Sequence, residues 1–151
     1  MVLTYKFKKE RLTDGSYVSR PRILVELKGP LGAVIVPALI DSGADATVIP
    51  EGLAKVIGLN VNGKRSELYA YREVTQVIVS TTSITFLGKE YRQFITLENI
   101  PVLIALSRAG YKDEEDITLG INGIFDIFEI IFKKSANKII LKKVGMGVSK
   151  G

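Results

Sequence analysis

The sequence predicts an all-β domain with one or two short helices, and three observations predict it. Val, Ile, Leu, Thr, Tyr and Phe recur in runs of roughly four to eight residues, a length that suits strands better than helices. Gly, Asp, Asn, Pro and Ser separate those runs, and these residues set turn geometry. No fixed-period repeat or linker-like stretch divides the 151 residues. They read as one domain over residues 1–151, large enough to bury roughly two-thirds of the unfolded chain's surface.

Taken in order, residues 4–12 and 17–27 flank Thr13-Asp14-Gly15-Ser16, whose Asp-Gly pair suits a tight turn with positive φ, so the segment reads as a hairpin. A second turn at residues 28–32 leads into residues 33–40, an almost wholly apolar run that reads as a strand buried on both faces. It delivers Asp41 straight out of the core. Pro50 then stands where a fixed φ and a missing N–H suit a first helical turn, and Gly58 ends the segment, so residues 51–57 read as a short helix. The β pattern returns at 67–71, 74–82, 84–86 and 91–97, with Gly88-Lys89 as one turn between strands. Residues 112–116 are acidic and read as a solvated loop, 117–119 as a short strand ending at Gly120, and 123–128 as a brief helix. The last pair, 129–132 and 138–143, reads as a hairpin.

Composition removes many chemistries. The chain contains no Cys and no His, so disulfides, zinc-thiolate sites, Ser-His-Asp triads and Cys-His pairs are all excluded. An enzyme built from this inventory turns to carboxylates. The net charge of +5 is spread among interleaved acids, without a zinc-finger, P-loop or RNA-recognition signature, so no nucleic-acid partner is expected. No apolar run approaches the roughly 18 residues of a membrane span, and the polar start of the chain is unlike a signal peptide. The expectation is a soluble cytoplasmic protein with no membrane partner.

One carboxylate is unusually placed. Asp41 leaves an apolar strand and enters Ser42-Gly43-Ala44-Asp45, and a polar group at a core edge needs partners. Gly43 lets backbone N–H groups approach the carboxylate, while the Ser42 hydroxyl can link the loop to a neighbour. Taken alone, Asp-Ser-Gly also fits an ordinary Asx turn. Its context is more specific: Ala38-Leu39-Ile40-Asp41-Ser42-Gly43-Ala44-Asp45-Ala46-Thr47-Val48-Ile49-Pro50, a short helix, and later Ile117-Thr118-Leu119-Gly120-Ile121-Asn122-Gly123.

With these two motifs in this order, residues 20–143 resemble the retropepsin-like aspartic proteases. The resemblance implies a single-domain closed β-barrel or sandwich with a flap hairpin, working as a C2 homodimer on extended polypeptide without metal or cofactor. By the same resemblance Asp41 matches the catalytic aspartate, Ser42 the hydroxyl that links the two loops across the dimer axis, and Gly43 the loop glycine. Ala44 and Asp45 match substrate-binding positions, and Gly120 and Asn122 the supporting Gly-x-Asn element. Tyr69, Ala70 and Tyr71 fall in the flap region, though the two tyrosines could equally pack on a strand.

The sequence contains one such loop; Thr13-Asp14-Gly15-Ser16 has the wrong order to be a second. One chain therefore supplies half a site. In the family the terminal strands commonly interleave between subunits, and residues 2–7 and 139–144 are the candidates, with ordinary edges of the monomer's sheet as the alternative. Two departures stand out. The flap region lacks glycine at its tip, and Ile121 occupies a position where retroviral members often carry Arg. An Arg pairing with Asp45 would come from Arg11, Arg20 or Arg22. A catalytically weak peptide-binding module of the same fold is the alternative function.

Overall fold

Alternation of apolar and polar side chains builds the first hairpin of the core. β4 (Arg22–Gly29) places Ile23, Val25 and Leu27 inside, and β5 (Gly32–Ile40) answers with Val36, Ala38 and Ile40. The two pair antiparallel from Arg22↔Leu39 to Gly29↔Gly32 around Pro30-Leu31. The chain is seen here in a computed structural model that describes residues 1–70, 72–110 and 117–144. The acidic stretch 112–116 lies outside the described residues.

The predicted burial of residues 33–40 on both faces is corrected. Ile35 is 44% exposed and Leu39 only half-buried, because a barrel wall has a single inward face. After β5 come β6 (Thr47–Pro50) and α1 (Glu51–Ile57). The helix matches its predicted bounds. It stops because Gly58 takes φ 82°, a left-handed conformation from which its N–H caps the carbonyls of Ala54 and Lys55. Glu51 fastens its start, accepting the Ser107 N–H at 2.8 Å and pairing with Lys55 at 2.9 Å. Those two contacts, Lys55 first, hold its carboxyl below the ordinary carboxylate range.

The remaining strands are β7 (Arg65–Ala70), β8 (Glu73–Leu87), β9 (Phe94–Ala105) and β10 (Ile117–Leu119). Pairing runs β4-β5-β10-β6-β9-β8, and β8 returns to β4 through Val25↔Phe86 and its neighbours. The sheet therefore closes on itself as a barrel, with β7 extending from β8. Closure is helped by a register shift between Thr82 and Ile84, a bulge that lets one long strand bend and serve two partners. The predicted strands 74–82 and 84–86 are the two halves of β8.

A second, three-stranded sheet has the order β1 (Val2–Tyr5), β12 (Lys138–Lys143), β11 (Phe128–Lys133). The terminal strands thus pair with each other inside one chain, from Val2↔Lys142 to Tyr5↔Ile139. Leu3 and Ile139 are wholly buried, and Phe128 meets Phe86 edge-on at 4.9 Å, which joins this sheet to the barrel core. The segment 4–12 is not one strand. It divides between β1 and β2 (Lys8–Arg11), and β2 pairs with β3 (Tyr17–Arg20) as a separate two-stranded ribbon.

The brief helix predicted at 123–128 is also corrected. Single turns close there, with the Phe125 N–H on the Ile121 carbonyl and the Phe128 N–H on that of Ile124, but Gly123 at φ 82° interrupts any continuous helix. Among the described residues no helix is long and apolar enough to cross a membrane.

Candidate active site

The apolar side chains of β5 anchor its end, and backbone bonds aim the residues beyond it. Ile40 donates its N–H to the Pro21 carbonyl, and Asp41 donates its own to the Leu119 carbonyl, both at 3.0 Å. Asp41 therefore leaves the sheet between β4 and β10. The next residues form a tight turn, with the Gly43 N–H on Asp41 Oδ1 at 2.9 Å and the Ala44 N–H on the Asp41 carbonyl at 3.2 Å. A Cβ on Gly43 would sit 3.2 Å from Asp41 Oδ1, so glycine allows this close approach. The Asx turn and the held carboxylate are thus the same geometry.

A second segment locks the turn. Ile121 donates its N–H to the Ala44 carbonyl, and Asn122 donates to that of Asp45, each at 2.9 Å. Gly120 donates its N–H to Thr47 Oγ1 at 3.1 Å, and Thr47 is wholly buried. At Gly120 a Cβ would fall 2.3 Å from both the carbonyl carbon and oxygen of Ala46. No side chain fits between these crossing backbones. The Gly-x-Asn element thus supports the loop through main-chain atoms.

Asp41 to Asp45, Gly120 and Asn122 are brought together by these bonds. Asp41 and Ala44 are half-buried, while Ser42, Gly43 and Asp45 are exposed. A lone carboxylate with one oxygen held by an N–H can act as a base toward water. Polarising a carbonyl at the same time needs a second acid.

The flap candidates belong to a different hairpin. β7 and β8 pair from Arg65↔Ile78 to Ala70↔Glu73. Tyr69 is 71% exposed, so it does not pack into the sheet. Its hydroxyl donates to Glu67 Oε1 at 3.1 Å, Gln76 Nε2 donates to Oε2 at 3.1 Å, and the bond to Glu67 raises the Tyr69 phenol above its ordinary range. Ala70 is exposed, and Tyr71 lies outside the described residues. Among the described residues no hydrogen bond connects this hairpin to Asp41 to Asp45.

Of the arginines considered for Asp45, Arg20 and Arg22 pair instead with Glu10, at 3.6 and 2.7 Å; Arg11 stands on β2 opposite Tyr17. Reading the sequence missed Thr47 as a support for Gly120. The signal was present as the one hydroxyl in the run Thr47-Val48-Ile49, since a polar side chain on an inward strand position must find a partner.

Comparison with known proteins gives the family and the fold. A family model described as "Aspartyl protease" matches residues 25–122, from β4 through the Gly-x-Asn element. The fold is similar to that of a retropepsin-like aspartic protease from Rickettsia conorii, with TM-score 0.52, 17% identity, and coverage of 93% of this chain and 91% of that one. It is likewise similar to the retroviral protease-like domain of Ddi1 from Leishmania major, with TM-score 0.54, 15% identity, and coverage of 85% and 90%. At these identities the likeness establishes the retropepsin-like fold. No curated protein sequence matches the chain.

Proposed function

The chain belongs to the aspartyl protease family, and we propose that it is an aspartic endopeptidase whose catalytic dyad comes from Asp41 of two identical subunits. The observation that carries this reading is the locked loop: Asp41 at the end of a core strand, with Oδ1 on the Gly43 N–H and the turn interlaced with Gly120 to Asn122. Such a carboxylate is pre-positioned, as differential stabilisation of a transition state requires.

One chain carries one Asp-Ser-Gly loop, so a two-fold axis beside Asp41 completes the site. Two adjacent carboxylates cannot both ionise easily and share one proton. The ionised Asp41 takes a proton from water as its oxygen attacks the scissile carbonyl. The protonated Asp41 gives its proton to the carbonyl oxygen. Collapse of the tetrahedral intermediate returns that proton to the dyad, the C–N bond breaks, and a proton passes to the leaving nitrogen. The pair titrates as a unit, so its apparent pKa values belong to both carboxyls together. In this proposal Ser42 links the loops across the axis, and Ala44 and Asp45 bind substrate backbone. Tyr69, Ala70 and Tyr71 cover an extended polypeptide that pairs with the flap in β fashion.

The test is incubation of an unfolded protein mixture with wild type and with Asp41→Asn between about pH 3 and 7, read by mass spectrometry. Wild type yields new peptide ends and Asp41→Asn none. A demonstrated dimer that binds peptides yet cleaves nothing contradicts the proposal and favours the peptide-binding module, which the glycine-free flap region would suit.

A further inference from the structure

The chain's positive charge is not evenly used. Residues 6–22 contain Lys6, Lys8, Lys9, Arg11, Arg20 and Arg22 against Glu10 and Asp14, a local excess of four positive charges; residues 133–143, with five lysines and no acid, are the other such run. These residues build the β2–β3 ribbon and its base, and among the described residues the ribbon pairs with no other strand. Both of its acids are engaged locally. Asp14 accepts the Ser16 N–H at 2.9 Å and the Ser16 hydroxyl at 2.6 Å in the turn. Glu10 faces three cations: Arg22 Nε at 2.7 Å, Arg20 Nη1 at 3.6 Å and Lys8 Nζ at 4.0 Å.

Only the Arg22 contact is short, so Lys8 and Arg20 reach that carboxylate at longer range. Lys8 stands directly opposite Arg20 in register, a like-charge pairing that weakens a hairpin. The other face carries Lys9, whose ammonium lies 4.6 Å from the Tyr17 ring centroid, and Arg11 opposite Tyr17. A ribbon that gathers like charges against its own stability is arranged for an anionic partner.

Its attachment identifies that partner's route. The ribbon ends at Pro21, whose carbonyl accepts the Ile40 N–H at 3.0 Å, and Arg22 is in register with Leu39. The charged arm therefore springs from the backbone that aims Asp41. Each arm strand has four residues and spans roughly 13 Å, the length of about four residues of extended polypeptide. Nucleic acid is the poorer fit, because useful affinity there rests on about six or more phosphate contacts along a longer track.

Resting on the protease reading, we propose that the β2–β3 ribbon is a specificity arm that selects polypeptide segments carrying Asp or Glu about four residues from the cleaved bond. Lys8, Lys9, Arg11 and Arg20 are its contacts. Two-fold symmetry places one arm at each end of the groove.

The experiment uses the full chain and two peptides of identical core, one bearing three acidic residues beginning four positions from the scissile bond, the other Ser and Gln there. Wild type favours the acidic peptide in kcat/KM by about tenfold at low salt, and the preference shrinks as salt rises. K8Q/K9Q/R11Q brings the ratio near one, whereas the same charge loss in K28Q/K55Q/K89Q leaves it at the wild-type value. Parity in wild type, or an equal fall in both variants, overturns the proposal. Fluorescence anisotropy with Asp41→Asn gives an independent readout using both peptides and a single-stranded oligonucleotide. A preference for the acidic peptide that K8Q/K9Q/R11Q removes supports the arm even if neither peptide is ever cleaved, an outcome that would sink the protease reading alone. Tighter binding of the oligonucleotide than of the acidic peptide overturns it.

Discussion

The crossing of the Asp41 loop with Gly120 to Asn122 and the β7–β8 hairpin are both made of backbone hydrogen bonds, yet they differ in what surrounds those bonds. At the crossing two chain segments meet without room for a methyl group, and a buried Thr47 hydroxyl fills the last donor's need. On the hairpin the side-chain contacts join exposed groups, Tyr69, Glu67 and Gln76, in water. The first arrangement fixes the Asp41 carboxylate in place; the second rests on exposed side-chain contacts that water can replace. Local stability varies in this way across folded proteins, and mobile covers are drawn from their weaker parts.

The largest test of that difference is Gly120→Ala. Its Cβ meets Ala46 backbone at 2.3 Å, so the variant is expected to lose about 3 kcal/mol or more of stability in urea denaturation. A near-neutral result would mean that the crossing yields easily and does not position Asp41. Thr47→Val comes next. It keeps the shape but leaves the Gly120 N–H buried without an acceptor, at an expected cost of about 1–3 kcal/mol. Thermal unfolding of this variant sharpens the comparison, since the cost isolates a single hydrogen bond of the crossing.

The smallest stability effect belongs to the hairpin. Glu67→Gln disturbs the contacts with Tyr69 and Gln76 but is expected to change stability by no more than about 0.5 kcal/mol. Hydrogen exchange completes the contrast, with the amides of Gly120 and Asn122 slow and those of β7 fast. Equal protection in the two regions would erase the distinction between them.

How far the sequence could be read obeys the same division between local and distant causes. The stretch from Ala38 to Gly58 was legible because each of its features is local: an apolar run, Asp-Ser-Gly, then Pro50 and Gly58 bounding α1. The hairpin of β11 and β12 also came from alternation and turn residues, whereas the closed barrel was expected only from the family resemblance. What escaped was decided far away. The split of residues 4–12 depends on β1 pairing with β12 at the other end of the chain, and no local pattern records that. The second half of β9 was missed because Asn99 and Pro101 resemble strand breakers. Asn99 takes φ 56°, and the strand continues, paired with β6 on one side and β8 on the other. The lost helix after Gly120 has a local cause, the positive φ of Gly123, but a glycine alone does not declare its φ. In the candidate site, Asp41 to Asp45, Gly120 and Asn122 were legible as a group, whereas Thr47 became visible only once its partner was known.

The central claim is that each chain holds half a catalytic site, and subunit mixing tests it most directly. Wild type and Asp41→Asn are combined at fixed total concentration, allowed to exchange subunits, and assayed for cleavage of an unfolded protein. Mixed dimers carry a single Asp41, so activity should fall as the square of the wild-type fraction, to about a quarter when half the chains are wild type. A linear fall, with half the activity remaining at that point, would contradict the account and place a complete site within one chain.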